Sequence, residues 1–168
     1  MSVFGSREAA VLVPISNLAS QPEILFTERP QHLNKHAGEI SFPGGTPEAG
    51  DRALLGTALR ETREEVDLSE DQIEVIGALA PVGTFVTSFR IQPFVGLVAA
   101  EAEPIPNPAE VARILSFDVE QLVAGYGMRR LVRRGVPVRT PTFEVEQHLI
   151  WGATARILTD LLRRMGAF

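Results

Sequence analysis

Short apolar runs alternate with polar, proline-containing or glycine-containing segments along the whole chain. Apolar runs bounded by turn residues are typical of strands, whereas apolar positions at helical spacing predict helices. The pattern predicts strands at residues 9–15, 23–28, 40–42, 73–79, 90–99 and 143–150, and helices at residues 52–66, 117–124 and 151–165. Residues 29–39 are polar and residues 101–108 contain three prolines, so both are predicted to be loops.

The predicted helix 52–66 carries two stripes. At about 100° per residue, their centres lie roughly 130–140° apart. The first stripe is expected to pack on a core and comprises Leu55, Leu59, Thr62 and Val66. The second is acidic and comprises Glu61, Glu64 and Glu65. Asp51, just before the helix, is predicted to be its N-cap, because a carboxylate there can accept an unpaired N–H of the first turn.

Strands interspersed with two long helices predict a mixed sheet held between helices, an α/β (α+β) arrangement. The pattern alone does not distinguish this arrangement from other α+β folds. With 168 residues, the chain is expected to form one domain, residues 1–168, with a sizeable core.

Composition narrows the functional classes. The net charge is −5 and no basic run is present, so nucleic acid is not an expected partner. The chain has no cysteine, which excludes disulfides, thiolate metal sites and a cysteine nucleophile, and is consistent with a reducing cytoplasm. A secretion signal and a membrane-crossing apolar stretch are absent from the pattern, so no membrane partner is expected. The oligomeric state stays open.

The acidic stripe follows a diglycine turn and has the chemistry of a metal site. Carboxylates one helical turn apart repel each other unless a cation lies between them, and hard oxygen ligands suit Mg²⁺ or Mn²⁺. Glu61 and Glu65 are the expected main ligands. Glu64 is a conditional ligand, because Arg60 lies four residues before it and can pair with it. Glycine allows close backbone approach, so the carbonyl of Gly44 is a further candidate ligand.

These residues resemble the Nudix box of the Nudix hydrolases, G-x5-E-x7-R-E-U-x-E-E-x-G-U, where U is aliphatic. The matching positions are Gly45, Arg60, Glu61, Glu64, Glu65 and Leu68. There are four departures. Asp51 replaces the first glutamate, eight residues instead of seven precede Arg60, Thr62 replaces an aliphatic residue, and Asp67 replaces the late glycine. Asp67 is therefore expected to adopt a left-handed conformation.

The resemblance implies an α/β/α sandwich and a Mg²⁺- or Mn²⁺-dependent hydrolase that cleaves a pyrophosphate joined to a nucleoside. Under that reading Glu61, Glu64 and Glu65 are the catalytic residues, and Arg60 and Gly45 support the site. Which glutamate is the general base, or whether a residue outside the box has that role, stays open.

The segment before the box resembles the upstream signature of the coenzyme A pyrophosphatases. Arg29, Gly38 and Phe42 fall on matching positions, whereas Asn34 replaces an arginine. The branch implies coenzyme A or its derivatives as substrate and 3′,5′-ADP and 4′-phosphopantetheine as products. The candidate phosphate-binding residues are Arg29, Lys35 and His36, because cationic side chains suit such anions.

Two alternatives remain at this point. The same enzyme class could act on ADP-ribose, a dinucleotide or a nucleoside triphosphate. The fold could also serve as a non-catalytic nucleotide-binding module, although binding alone does not require a cluster of three like charges.

Overall fold

The protein is built around one large mixed sheet. This computed structural model describes residues 7–34, 37–84, 87–133 and 135–168. The large sheet contains β1 (Arg7–Ser16), β2 (Glu23–Glu28), β3 (Ile40–Ser41), β4 (Gly44–Gly45), β5 (Ile73–Ala78), β6 (Val82–Gly83), β7 (Phe89–Val98) and β8 (Arg113–Asp118). None of the helices in these ranges is long and apolar enough to cross a bilayer.

Strand β1 lies at the centre of this sheet. It pairs parallel with β7 and antiparallel with β2 and β4. Strands β5 and β6 continue the sheet beyond β7, and β3 and β8 pair with β2. The near-continuous apolar sequence of β1 suits this position, because both faces of a central strand are covered. The predicted mixed sheet is confirmed.

In the described residues, three helices and a smaller sheet complete the fold. The helices are α1 (Ala53–Val66), α2 (Val119–Ala124) and α3 (Gly152–Arg164), and a short 3-10 helix spans Glu70–Gln72. The antiparallel second sheet contains β9 (Tyr126–Arg133), β10 (Val136–Val145) and β11 (His148–Ile150).

Alternate side chains of β1 enter two separate cores. Leu12 packs with Ala58 and Val66 of α1, whereas Val13 packs with the apolar face of α3, which includes Leu158. Because successive side chains of a strand point to opposite faces, α1 and α3 cover opposite sides of the sheet. The expected α/β/α sandwich is confirmed.

The start of α1 differs from the prediction. Arg52, and not Asp51, occupies the N-cap position, and it makes no side-chain capping bond. The N-cap prediction was wrong because the Asp51 carboxylate accepts hydrogen bonds from Arg60, Thr57 and the backbone of Glu48.

The buried face of α1 is also rotated relative to the predicted stripe. Leu55 and Leu59 are only half-buried. The buried positions are Thr57, Ala58, Thr62 and Val66. Thr57 can be buried because its hydroxyl donates to Asp51, and the hydroxyl of Thr62 donates to the carbonyl of Ala58.

The second half of the chain contains more strand than its pattern predicts. Strands β8 and β9 and the first part of β10 were not predicted, and the predicted strand 143–150 is interrupted at Glu146 and Gln147. Both residues have positive φ (49° and 68°) and form the turn between β10 and β11. Helix α2 begins after Asp118, whose carboxylate accepts the N–H of Gln121, so residues 117 and 118 belong to β8.

Candidate active site

The diglycine strand β4 lies close to α1, beside the acidic side chains of that helix. Gly44 and Gly45 pair with Val11 and Ala10 of β1. A Cβ atom at Gly45 would lie 2.5 Å from Oε1 of Glu61, and one at Gly44 would lie 2.3 Å from the carbonyl oxygen of Ala10. Both glycines are therefore required by close approach, and Gly45 supports the site by leaving room for the carboxylate of Glu61.

The N–H of Gly44 donates to Oε2 of Glu65 at 3.3 Å. This bond fixes the Glu65 carboxylate at the edge of β4. The proposed use of the Gly44 carbonyl as a metal ligand stays a prediction.

Arg60 links the start of the helix to the acidic residues. Its Nε donates to Oδ1 of Asp51 at 2.8 Å, and its Nη2 donates to Oδ2 at 3.2 Å. Its Nη1 donates to Oε1 of Glu61 at 3.0 Å and to Oε2 of Glu64 at 3.1 Å. Nη2 also donates to the carbonyl of Thr46. The expected Arg60–Glu64 pair is present, and Arg60 orients Glu61 as well.

Asp51 takes the place of the longer glutamate of the Nudix pattern and still reaches Arg60 with both carboxylate oxygens. Hydrogen bonding to Arg60 holds the pKa of Asp51 well below its usual range, and the same bonds raise the pKa of Arg60. Ala53, within the longer segment between Asp51 and Arg60, adopts φ 53°, a left-handed conformation. At the other end of the helix, Asp67 adopts φ 56° as expected, and its N–H donates to the carbonyl of Arg63.

Glu61, Glu65 and Glu110 form the acidic cluster: carboxylate oxygens of all three lie within 4.8 Å of one another. The structure thus brings together two of the three predicted glutamates with one that was not predicted. The third, Glu64, has a side chain that is 45% exposed, against 14% for Glu61, and it lies beside Arg60. Glu64 is accordingly the least suited of the predicted residues to bind a buried cation.

Glu110 lies on the segment between β7 and β8, which hydrogen bonds attach to the end of α1. The N–H of Asn107 donates to the carbonyl of Glu65, and the N–H of Ile105 donates to the carbonyl of Val66, both at 2.9 Å. The carbonyl of Asn107 in turn accepts the N–H of Val111. Nothing in the local sequence indicates this role, because the contact depends on backbone bonds between segments far apart in the chain.

Burial and mutual repulsion perturb the acidic cluster. Burial is the main cause that raises the pKa of Glu65 to about 8; repulsion from Glu61 and Glu110 adds to it, whereas the Gly44 N–H and the charge of Arg29 oppose it. Burial also raises the pKa of Glu61, although Arg60 opposes this change. Three carboxylates held this closely fit a divalent cation, which would relieve the repulsion and favour their charged forms.

A cleft of about 260 Å³ adjoins the acidic cluster. Its wall includes both Glu65 and Glu110. Its polar lining comprises Thr27, Arg29, Glu39, Ser41, Thr84 and Thr154, and its apolar lining comprises Val11, Phe42, Ile91, Ala153 and Ile157. Of the predicted phosphate-binding residues, Arg29 lies in this cleft, whereas Lys35 and His36 fall outside the described residues.

The family that matches the chain is the NUDIX domain, over residues 6–135. The chain belongs to the Nudix family. A Nudix hydrolase named NudL from Photorhabdus laumondii is 36% identical over 162 residues, which cover 95% of this chain and 86% of that protein.

Solved Nudix structures share the fold. The Nudix hydrolase RenU of M. smegmatis matches with a TM-score of 0.65 and 16% identity, covering 98% of this chain and 88% of its own. The Ap4A hydrolase of C. elegans matches with a TM-score of 0.57 and 18% identity, over 69% of this chain and 83% of that chain. The protein is thus a Nudix hydrolase, an enzyme of a family that cleaves phosphoanhydrides of small nucleotide derivatives with the help of divalent metal ions.

Proposed function

We propose that this Nudix hydrolase cleaves the pyrophosphate of coenzyme A or its derivatives and uses Mg²⁺ or Mn²⁺. The observation that carries the proposal is the acidic cluster beside a cleft that contains Arg29. The similarity of the segment from Leu25 to Gly45 to the coenzyme A branch supports this substrate over other nucleoside diphosphates. The lack of cysteine is consistent with a cytoplasmic enzyme.

Glu61 and Glu65 would hold the metal ion, with Glu110 beside them. When bound, a divalent cation neutralises phosphate oxygens and lowers the pKa of a bound water. The protein contributes by holding its carboxylates in position before the substrate binds. Arg60 and the Gly44 N–H fix the carboxylates of Glu61 and Glu65, so that little rearrangement is needed at the moment of reaction.

Arg29 is the side chain that the proposal assigns to the diphosphate. It is exposed at the cleft, and its charge acts on Glu65, so it lies close enough to the cluster to contact phosphates held there. A guanidinium group can donate two parallel hydrogen bonds to one phosphate. Lys35 and His36 remain further candidates for binding the 3′-phosphate or the pyrophosphate of coenzyme A.

Hydrolysis requires a base for the attacking water. A water oxygen attacks one phosphorus, its proton passes to a carboxylate, and the bond to the bridging oxygen breaks to release two phosphate monoesters. For coenzyme A these products are 3′,5′-ADP and 4′-phosphopantetheine. The more exposed Glu110 is the best placed of the three acids to receive this proton, because Glu61 and Glu65 are held by hydrogen bonds.

The test is turnover of coenzyme A, ADP-ribose, NADH and dGTP with Mg²⁺, followed by separation of the products. We expect coenzyme A to be cleaved to 3′,5′-ADP. Cleavage of dGTP or ADP-ribose without any cleavage of coenzyme A would reject the substrate and favour the alternative of another nucleotide derivative. No turnover of any of the four would favour the non-catalytic alternative.

Matched variants test the residues. Glu65→Gln should remove most turnover and retain the fold, whereas Glu120→Gln, an exposed position on α2, should change neither. Glu110→Gln should lower kcat about 10²–10⁴-fold and leave Mn²⁺ affinity nearly unchanged if Glu110 is the base. A large loss of Mn²⁺ affinity in that variant would instead make Glu110 a ligand.

A further inference from the structure

Two walls of the substrate cleft come from segments far apart in the chain. Ala153 and Thr154 of α3 line one wall, and Thr84, which directly follows β6, lines the other. The width of the cleft between them depends on what holds β6 against α3.

Arg156 joins the two walls. Its Nη2 donates to the carbonyl oxygen of Gly83 at 2.6 Å, in a partly buried bond between residues 73 positions apart. Strand β6 has only two residues and pairs with β7 at Val82 and Gly83, so its own ladder is short. A charge-assisted bond from α3 to one of these two residues adds an attachment that the ladder to β7 does not supply.

The position of Gly83 is transmitted to the cleft by Thr84. The N–H of Thr84 donates to the carbonyl of Phe89 at 2.8 Å, and its Oγ1 accepts the N–H of Phe89 at 2.9 Å. Its hydroxyl also shares a hydrogen bond with Thr87 at 2.7 Å. Because Thr84 directly follows Gly83 and these bonds limit its own rotation, a shift of Gly83 changes where Thr84 lines the cleft.

We propose that Arg156 is a positioning residue that sets the width of the substrate cleft by holding β6 against α3. It acts through Gly83 and Thr84 and leaves the acidic cluster unaffected. The inference depends on the proposed function in one respect: the cleft must bind the part of a diphosphate ester that extends beyond the metal site.

The test uses two substitutions and a control. Arg156→Met keeps an unbranched but shorter side chain and removes its donors, and Arg156→Lys keeps a cationic donor group. Arg164→Met is the matched control, because Arg164 lies on the same helix but forms an exposed ion pair with Asp160. Thermal melts of all variants establish that they are folded.

The first measurement is independent of activity. Hydrogen exchange at the amides of Thr84 and Phe89 should become roughly tenfold faster in Arg156→Met, because local opening then costs less. Arg156→Lys should restore most of the protection, and Arg164→Met should match the wild type. Unchanged exchange at both amides in Arg156→Met would overturn the inference.

The second measurement distinguishes an effect on the cleft from an effect on the metal site. In Arg156→Met, KM for coenzyme A should rise roughly tenfold while kcat stays within about twofold, and Mn²⁺ binding by calorimetry should not change. Equal losses in kcat and Mn²⁺ affinity would show a general structural role and reject the inference. If the wild type cleaves no diphosphate, the proposed function fails, and the exchange experiment still decides whether Arg156 holds β6.

Discussion

The raised pKa of Glu65 makes the stability of the metal-free protein depend on pH in an unusual direction. With a pKa of about 8 in the folded protein and an ordinary value of 4.5, Glu65 keeps a proton between these pH values that the unfolded chain releases. The folded state binds the additional proton, so its free energy of unfolding falls as the pH rises through this window. Ordinary paired carboxylates have the opposite effect.

The size of the effect follows from the difference between the folded and the ordinary pKa of Glu65. Each pH unit in the window contributes about 1.4 kcal/mol, so the whole window contributes about 3–5 kcal/mol once partial solvent contact is considered. Between pH 6 and pH 9, the loss is about 2–3 kcal/mol. Glu65→Gln, which cannot ionise, should not show this loss.

Urea unfolding with a chelator present, at pH 6 and pH 9, measures the effect. The wild type should lose about 2–3 kcal/mol more than Glu65→Gln over this interval. Glu64→Gln, which alters the exposed glutamate beside Arg60, should retain the pH dependence of the wild type. The reasoning is refuted if the wild type and Glu65→Gln show the same change between the two pH values.

Metal binding provides a second way to detect the proton that Glu65 holds in the metal-free protein. A cation binds the ionised carboxylate, so uptake of Mn²⁺ at pH 7 should release about one proton from Glu65. Calorimetry in two buffers of different ionisation enthalpy counts that proton. Addition of Mn²⁺ at pH 9 should also raise the midpoint of unfolding, because the ion binds the folded state.

Three further substitutions test the region around the acidic cluster. Asp51→Asn should lower stability by about 1–3 kcal/mol in urea unfolding and also reduce kcat, because Arg60 loses a charged partner; normal values of both would contradict its anchoring role. Ala53→Gly should raise stability by about 0.5–1 kcal/mol, since glycine adopts φ 53° without strain, and a lower melting temperature would show that Ala53 is not strained. Leu59→Ala should cost about 1–2 kcal/mol, less than a fully buried leucine, as calorimetric melting can measure; a loss of 4 kcal/mol or more would place Leu59 in the core.

The sequence predicted those features that depend on local spacing. Strand β2 has the predicted limits, the Arg60–Glu64 pair forms, and Asp67 takes the left-handed conformation. The prediction that Asp51 is the N-cap was wrong for a reason that local sequence patterns do not reveal. Its carboxylate has a stronger partner, since Arg60 reaches it from nine positions away with two donors.

Features that arise from tertiary contacts could not be predicted in this way. Strands β8 and β9 are partly exposed, so their sequences lack the apolar runs that identify buried strands. Glu110 joins Glu61 and Glu65 only because its segment hydrogen-bonds to the end of α1. A carboxylate in a proline-rich loop has no periodic signal.

The long parallel pairing of β1 with β7 has a consequence for how the protein is made. Residues Arg7 to Ile15 align with Phe89 to Leu97, so β1 gains its longest neighbour only after the chain up to the end of β7 has been synthesised. Pairings this distant form slowly, and the apolar first strand is open to wrong partners in the meantime. We therefore expect newly made chains to depend on chaperones more than a helical protein of this size would.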